Sequence, residues 1–164
     1  SQKALLDPLQ VAISYIKNDL GQYQVSRDQL VAQYGATVED FANTPVSHFI
    51  GYISEFNPQN SLFHLDKIEW LTEKDVKRLK ELKIDPQKLD NGYYIYNKDT
   101  YPLTFEVGEK TQYYLLDWGK EITHKAVTQK EFISYLEQHK GSLPPFHVTT
   151  KDGYVQQIRE QYLP

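Results

Sequence analysis

The stretch Gln112-Tyr113-Tyr114-Leu115-Leu116-Asp117-Trp118 decides the fold class, because both of its alternating faces are apolar. Tyr113 and Leu115 fall on one face, and Tyr114, Leu116 and Trp118 on the other. A strand with one wet face alternates apolar with polar, so this pattern marks a central strand covered on both sides. A sheet must therefore surround it.

Outward from it, the sequence supplies the neighbours. Leu103 to Val107 precedes it as a strand, and Asn91-Gly92 opens another through Tyr93-Tyr94-Ile95-Tyr96. Val46 to Phe56 and Leu62 to Leu71 are rich in aromatic and β-branched residues, and Asn57-Pro58-Gln59-Asn60 between them has turn composition. Closed as a hairpin, that turn sets His48 opposite Glu69 and Tyr52 opposite Leu65. A helix is predicted from Thr72 to about Leu82, with Val76, Leu79 and Leu82 inward. Thr128 and Glu131 form a capping box for a second helix, to about His139, that buries Phe132, Ile133 and Leu136. Gly141 stops it, and Pro144-Pro145 forbid its return.

The C-terminal hairpin has two registers to choose from. A two-residue Asp152-Gly153 loop pairs Phe146 with Arg159. A three-residue Lys151-Asp152-Gly153 loop pairs Phe146 with Ile158 and Val148 with Gln156, matching like with like at the core end. The second is preferred, with Gly153 at the left-handed position of a G1 bulge.

Before Pro45 the spacing becomes helical. Leu5, Leu9, Ala12, Ile13, Ile16 and Leu20 make one stripe, giving a helix from about Pro8 to Leu20 that Gly21 ends. Ser26 and Gln29 cap a second helix, Gly35 closes it, and a short turn runs from Thr37 to Ala42. The expected architecture is α+β in a single domain over 1–164. A helical part, about 4–43, packs on a β-rich part, about 46–164, whose mainly antiparallel and barrel-like sheet carries two further helices.

Composition removes whole classes of chemistry. The chain has 164 residues, with 22 acidic and 18 basic side chains and a net charge of -4, and contains no cysteine or methionine. Without cysteine there are no disulfides, thiolate metal sites or thiol nucleophiles. Without methionine, Ser1 reads as a processed or engineered start, and the chain is expected to have lost upstream sequence. No apolar run approaches the roughly 20 residues that span a bilayer. The acidic balance argues against a surface that tracks nucleic-acid phosphates.

Motifs for phosphate loops, dinucleotide binding, nucleophile elbows, zinc helices and calcium loops are missing, so no cofactor, metal or catalytic residue is implied. His48, His64, His124, His139 and His147 lack the short helical spacings that share a metal. The His48–Glu69 pair is the one acid–base couple the strand register offers, and an ordinary polar pair on a sheet face is the simpler reading. The 13 tyrosines concentrate on strands, where large rings serve packing first. If one face stays exposed, Tyr94, Tyr96, Tyr114 and Trp118 are the binding residues. The helix at 72–83 is locally basic, with Lys74, Lys77, Arg78, Lys80 and Lys83, and such a face is ordinarily solvated. The segment from Ser26 to Asn43 is similar to a helix-turn-helix, but its would-be reading helix carries Glu39 and Asp40 and no cation, which excludes DNA. It is also similar to the helical pair of LysM modules, which bind cell-wall glycan.

Residues 68–164 resemble a group of uncharacterised exported proteins and lipoproteins of Gram-positive bacteria. The carrying residues are Asn91-Gly92-Tyr93-Tyr94-Ile95-Tyr96-Asn97, Thr128-Gln129-Lys130-Glu131-Phe132, and Pro145-Phe146-His147-Val148 through Lys151-Asp152-Gly153 to Gln161-Tyr162-Leu163-Pro164. Members begin with a signal peptide and often a lipid-anchoring cysteine. The resemblance implies an extracytoplasmic location, secreted or anchored, and brings no catalytic residues. The expectation is a non-catalytic binding or interaction module at the cell envelope, whose partner is an envelope protein or a glycan. The competing expectation is a small hydrolase or metal-dependent enzyme built from scattered His, Asp and Glu.

Overall fold

The computed structural model describes residues 46–98, 101–119, 121–151 and 153–164. The helices expected within 4–43 lie outside the described residues. Eight strands, two α-helices and two single-turn 3-10 helices, Pro86–Lys88 and Asp90–Gly92, make up the regular structure that is described; the strands and α-helices are labelled in chain order. They are β1 (Ser47–Asn57), β2 (Leu62–Lys67), β3 (Glu69–Thr72), α1 (Val76–Glu81), β4 (Tyr93–Tyr96), β5 (Leu103–Trp118), β6 (Ile122–Val127), α2 (Gln129–Gln138), β7 (Phe146–Lys151) and β8 (Tyr154–Glu160). Among the described residues strands dominate, so the structure is mixed α and β with the balance well toward β. None of the described helices is long and apolar enough to cross a membrane.

One sheet runs β2-β1-β7-β8-β5-β6, and β2 also pairs with β5, so its first five strands close into a barrel. All of its pairs are antiparallel except β5 with β8. Counted in chain order, the barrel strands neighbour one another as first, second, third, fifth, fourth and back to first. The third and fifth are parallel, and a helix joins the third to the fourth. That is the connectivity of the OB-fold, a five-stranded Greek-key barrel.

Closure is written into a few backbone positions. A Cβ at Gly51 would lie 2.2 Å from the Asp66 carbonyl oxygen, so only glycine lets β1 and β2 coil this tightly. Glu55, at φ 50, sits in the irregularity between Ser54 and Asn57. In β5, expected as two strands, the bend lies between Val107 and Gln112. There the Thr111 hydroxyl accepts from Gly108 N–H at 2.9 Å and donates to the Val155 carbonyl at 2.6 Å. A side chain thus replaces ladder bonds and keeps one 16-residue strand continuous across the corner.

Phe63, Leu65, Phe105, Phe146, Val148, Val155 and Ile158 fill the barrel, each under 2% exposed. Each such side chain contributes about 1.5–3 kcal/mol by leaving water. The helix α2 covers the core. Its capping box forms as expected, with Glu131 N–H donating to Thr128 Oγ1 at 3.1 Å and Thr128 N–H to Glu131 Oε1 at 3.3 Å. Phe132 and Leu136 enter the core, while Ile133 is only half-buried.

Several expectations are corrected. In the first hairpin Tyr52 faces Asp66, not Leu65, one residue off the expected register. The stretch 62–71 is two strands in two sheets. Ile68 breaks it, donating its N–H to Ile50 O at 2.9 Å, and β3 then pairs with β4. His48 therefore faces Thr149 and Glu69 faces Tyr96, and the acid–base couple does not exist. The helix expected at 72–82 shrinks to α1, because the Asp75 carboxylate accepts from Thr72 N–H at 2.7 Å and holds a turn there. Val76 is exposed rather than inward, while Leu79 is fully buried. The last hairpin follows neither register. Lys151 pairs with Tyr154 beside a two-residue loop, and a bulge at Gln156 then sets Val148 opposite Ile158 and Phe146 opposite Glu160. Gly153 does take the expected positive φ, 79.

Candidate functional site

The four tyrosine and tryptophan positions singled out from sequence do not form one patch. Tyr94 and Tyr96 lie in the two-stranded β3–β4 sheet, and Tyr114 and Trp118 in the barrel sheet. Tyr96 is occupied by packing. The Arg78 guanidinium lies 5.5 Å from its ring centroid and holds Glu69 with two bonds, at 2.7 and 2.8 Å, and Glu81 at 3.0 Å. Those carboxylates, Glu69 first, hold the guanidinium proton above its usual range. On the other face of the hairpin Trp70 and Tyr93 stack at 4.2 Å. Burial, and then Tyr93 and Asp66, push up the proton affinity of the Tyr52 hydroxyl. Tyr94 alone of that pair is well exposed.

Trp118 is different, being 66% exposed at the tip of the β5–β6 hairpin. Its ring lies 5.9 Å from that of Tyr162, and its backbone pairs with Ile122. Tyr162, Ile122 and Leu163 are exposed as well. Trp118, Ile122 and Tyr162 thus adjoin as an exposed apolar and aromatic platform, and exposed apolar patches mark contact surfaces.

What holds the platform is Glu160, the last residue of β8. Its side chain is buried, where a lone carboxylate is costly unless hydrogen-bonded. Oε1 accepts from Leu116 N–H at 2.8 Å and Oε2 from the Tyr135 hydroxyl at 2.6 Å. Burial first, and then Glu160, keep that hydroxyl protonated well beyond the usual tyrosine range. The Glu160 carbonyl accepts from His124 Nε2 at 2.7 Å. Beyond Arg159 the parallel β5–β8 register ends. A carboxylate and an imidazole take over its bonding, joining β5, β6 and α2 to the start of the terminal tail. Tyr162 is thereby set against Trp118.

Beside the platform, the outer face of the barrel carries a polar row. Ile50, His147, Arg159, Tyr114 and Ala126 are successive cross-strand neighbours on β1, β7, β8, β5 and β6. His147 Nδ1 lies 2.9 Å from His48 Nε2. Its Nε2 meets Gln161 Oε1, and the Gln161 amide nitrogen donates to Tyr162 O at 2.7 Å. An amide oxygen only accepts, so His147 carries its hydrogen on Nε2 and offers Nδ1 as acceptor to His48. Burial lowers the proton affinity of His147. Gln161 opposes that, and His48, Arg159 and His124 add to it.

The remaining histidines stand apart. His64 pairs with Glu55 at 3.1 Å, and His139 lies against the Tyr135 ring at 4.5 Å. Among the described residues no three or more His, Asp or Glu side chains are grouped to hold a metal ion. Sequence reasoning named Tyr114 and Trp118 but missed Tyr162, His48, His147 and Glu160 as members of this face. The two imidazoles that meet are 99 positions apart and carry no local signal. Compared with known proteins, the chain matches no family model, no curated protein and no solved structure.

Proposed function

We propose that the chain is a non-catalytic binding module of the cell envelope whose ligand is a glycan, held on the platform of Trp118 and Tyr162. The observation that carries this reading is the exposed, adjoining pair of rings, 5.9 Å apart and tilted by 57°, one at the end of β5 and one on the tail that follows β8. Aromatic faces stack on the apolar faces of sugars, and the polar row alongside supplies hydrogen bonds for hydroxyls. OB-type barrels host oligosaccharide sites among others, which supports the reading by analogy of fold alone. The envelope location draws on the resemblance of 68–164 to exported Gram-positive proteins.

The test is co-sedimentation with purified peptidoglycan, read alongside tryptophan fluorescence. Wild type is expected to sediment and to shift its emission blue, Trp118→Ala to lose both, and Tyr94→Ala to behave as wild type. Equal sedimentation of Trp118→Ala overturns the platform. Fractionation of cells producing the full-length protein tests the location, and recovery in the cytosol overturns it.

An envelope protein as partner is the second reading, favoured by β6. All but one of its six residues are exposed, and among the described strands it pairs only with β5. An open edge of this kind accepts an added strand.

A further inference from the structure

The same outer face carries an unneutralised cation. Among the described residues the Arg159 guanidinium makes no ion pair or hydrogen bond, although Arg159 stands between His147 and Tyr114 in the cross-strand row. The Glu160 carboxylate next to it in the chain is turned into the protein and used up by Leu116 and Tyr135. Among the described residues, the titratable groups whose fields reach His147 are His48 from β1, Arg159 from β8 and His124 from β6, with no carboxylate among them.

We infer that Arg159, flanked by His147, His48 and His124, binds an anionic group, a carboxylate or phosphate, carried by the ligand of the Trp118 platform. This rests on the glycan reading above and names the chemistry of that glycan. Guanidinium forks match both anions, and bonds to charged acceptors are the stronger kind.

The experiment titrates the intact protein at low salt with three probes: an oligogalacturonate, a glycerol-phosphate oligomer and neutral chitotetraose. The two charged probes are expected to bind more tightly than chitotetraose. Arg159→Gln is expected to weaken them about tenfold, as for loss of one charge-assisted contact, and Arg159→Lys to weaken them less, keeping the charge but not the fork. Preference for one charged probe identifies carboxylate or phosphate as the source. If chitotetraose binds as well as the charged probes, or Arg159→Gln leaves them unaffected, the anion site is overturned while the platform stands. If no probe binds wild type and peptidoglycan does not sediment with it, both readings fall.

Discussion

The hydroxyl of Tyr135 on α2 donates to the carboxylate of Glu160 at the end of β8, at 2.6 Å, and so ties the covering helix to the strand that leads into the aromatic platform. The other carboxylate oxygen receives Leu116 N–H from β5. Glu160→Ala strands both donors, each costing about 1–3 kcal/mol when left unpaired. Urea unfolding should show a loss of about 3 kcal/mol for Glu160→Ala and a smaller one for Tyr135→Phe, within that same range of about 1–3. Near-equal midpoints for Glu160→Ala and wild type would mean that the carboxylate is replaceable by water.

The same contact has a basic-pH consequence. The folded state holds the Tyr135 proton more tightly than the unfolded chain does, so above about pH 10 the unfolded state binds fewer protons. Stability contributed by this group is intact below that pH and falls as pH rises through it. Tyr135→Phe should flatten the decline between about pH 10 and 11.5, measured by denaturant midpoints.

His147 acts with the opposite sign at the acid end. Its proton affinity is lowered on folding, chiefly by burial, so the unfolded chain takes up the proton first as pH falls through about 6.5. Stability is therefore expected to fall from about pH 7 to about pH 5.5, and His147→Gln should reduce that slope. An unchanged slope in the variant would remove His147 from the account.

Two glycines in barrel strands separate close approach from mere glycine. At Gly51 a Cβ meets backbone at 2.2 Å, whereas at Gly108 the nearest atom is a Tyr154 ring carbon at 3.5 Å. Gly51→Ala should cost about 1–3 kcal/mol or prevent folding, as overpacking does. Gly108→Ala should stay within about 0.5 kcal/mol of wild type, as ordinary surface substitutions do.

Much of this fold is legible in local sequence. The Thr128–Glu131 box, the strand at Tyr93–Tyr96 and the positive φ of Gly153 each follow from residues a few positions apart. The two-faced pattern of 112–118 does mark a strand with a neighbour on each side, but not one covered on both faces, since Trp118 is exposed. What escaped is non-local. The bulges at Glu55 and Gln156 are single-residue insertions that shift every later pair by one, and neither residue type announces them. β6 has polar and apolar residues on both faces because water reaches both, so alternation is lost. The site suffers most, since Glu160 reaches Leu116 across 44 positions. Trp118 was readable as a strand residue, whereas its contact with Tyr162, 44 residues further on, was not.

The parallel pairing of β5 with β8 also sets a schedule. The barrel is sealed by its last strand in chain order, which slots between β7 and β5. Until residues 154–160 have emerged from the ribosome, β1, β2, β5 and β7 have no closed ring to join, and two open edges face each other. The nascent chain must then remain incompletely folded until the end of this stretch is made. A chaperone that shields strand edges would have its whole working interval before that moment, and removal of residues 154–164 should abolish the barrel rather than shorten it.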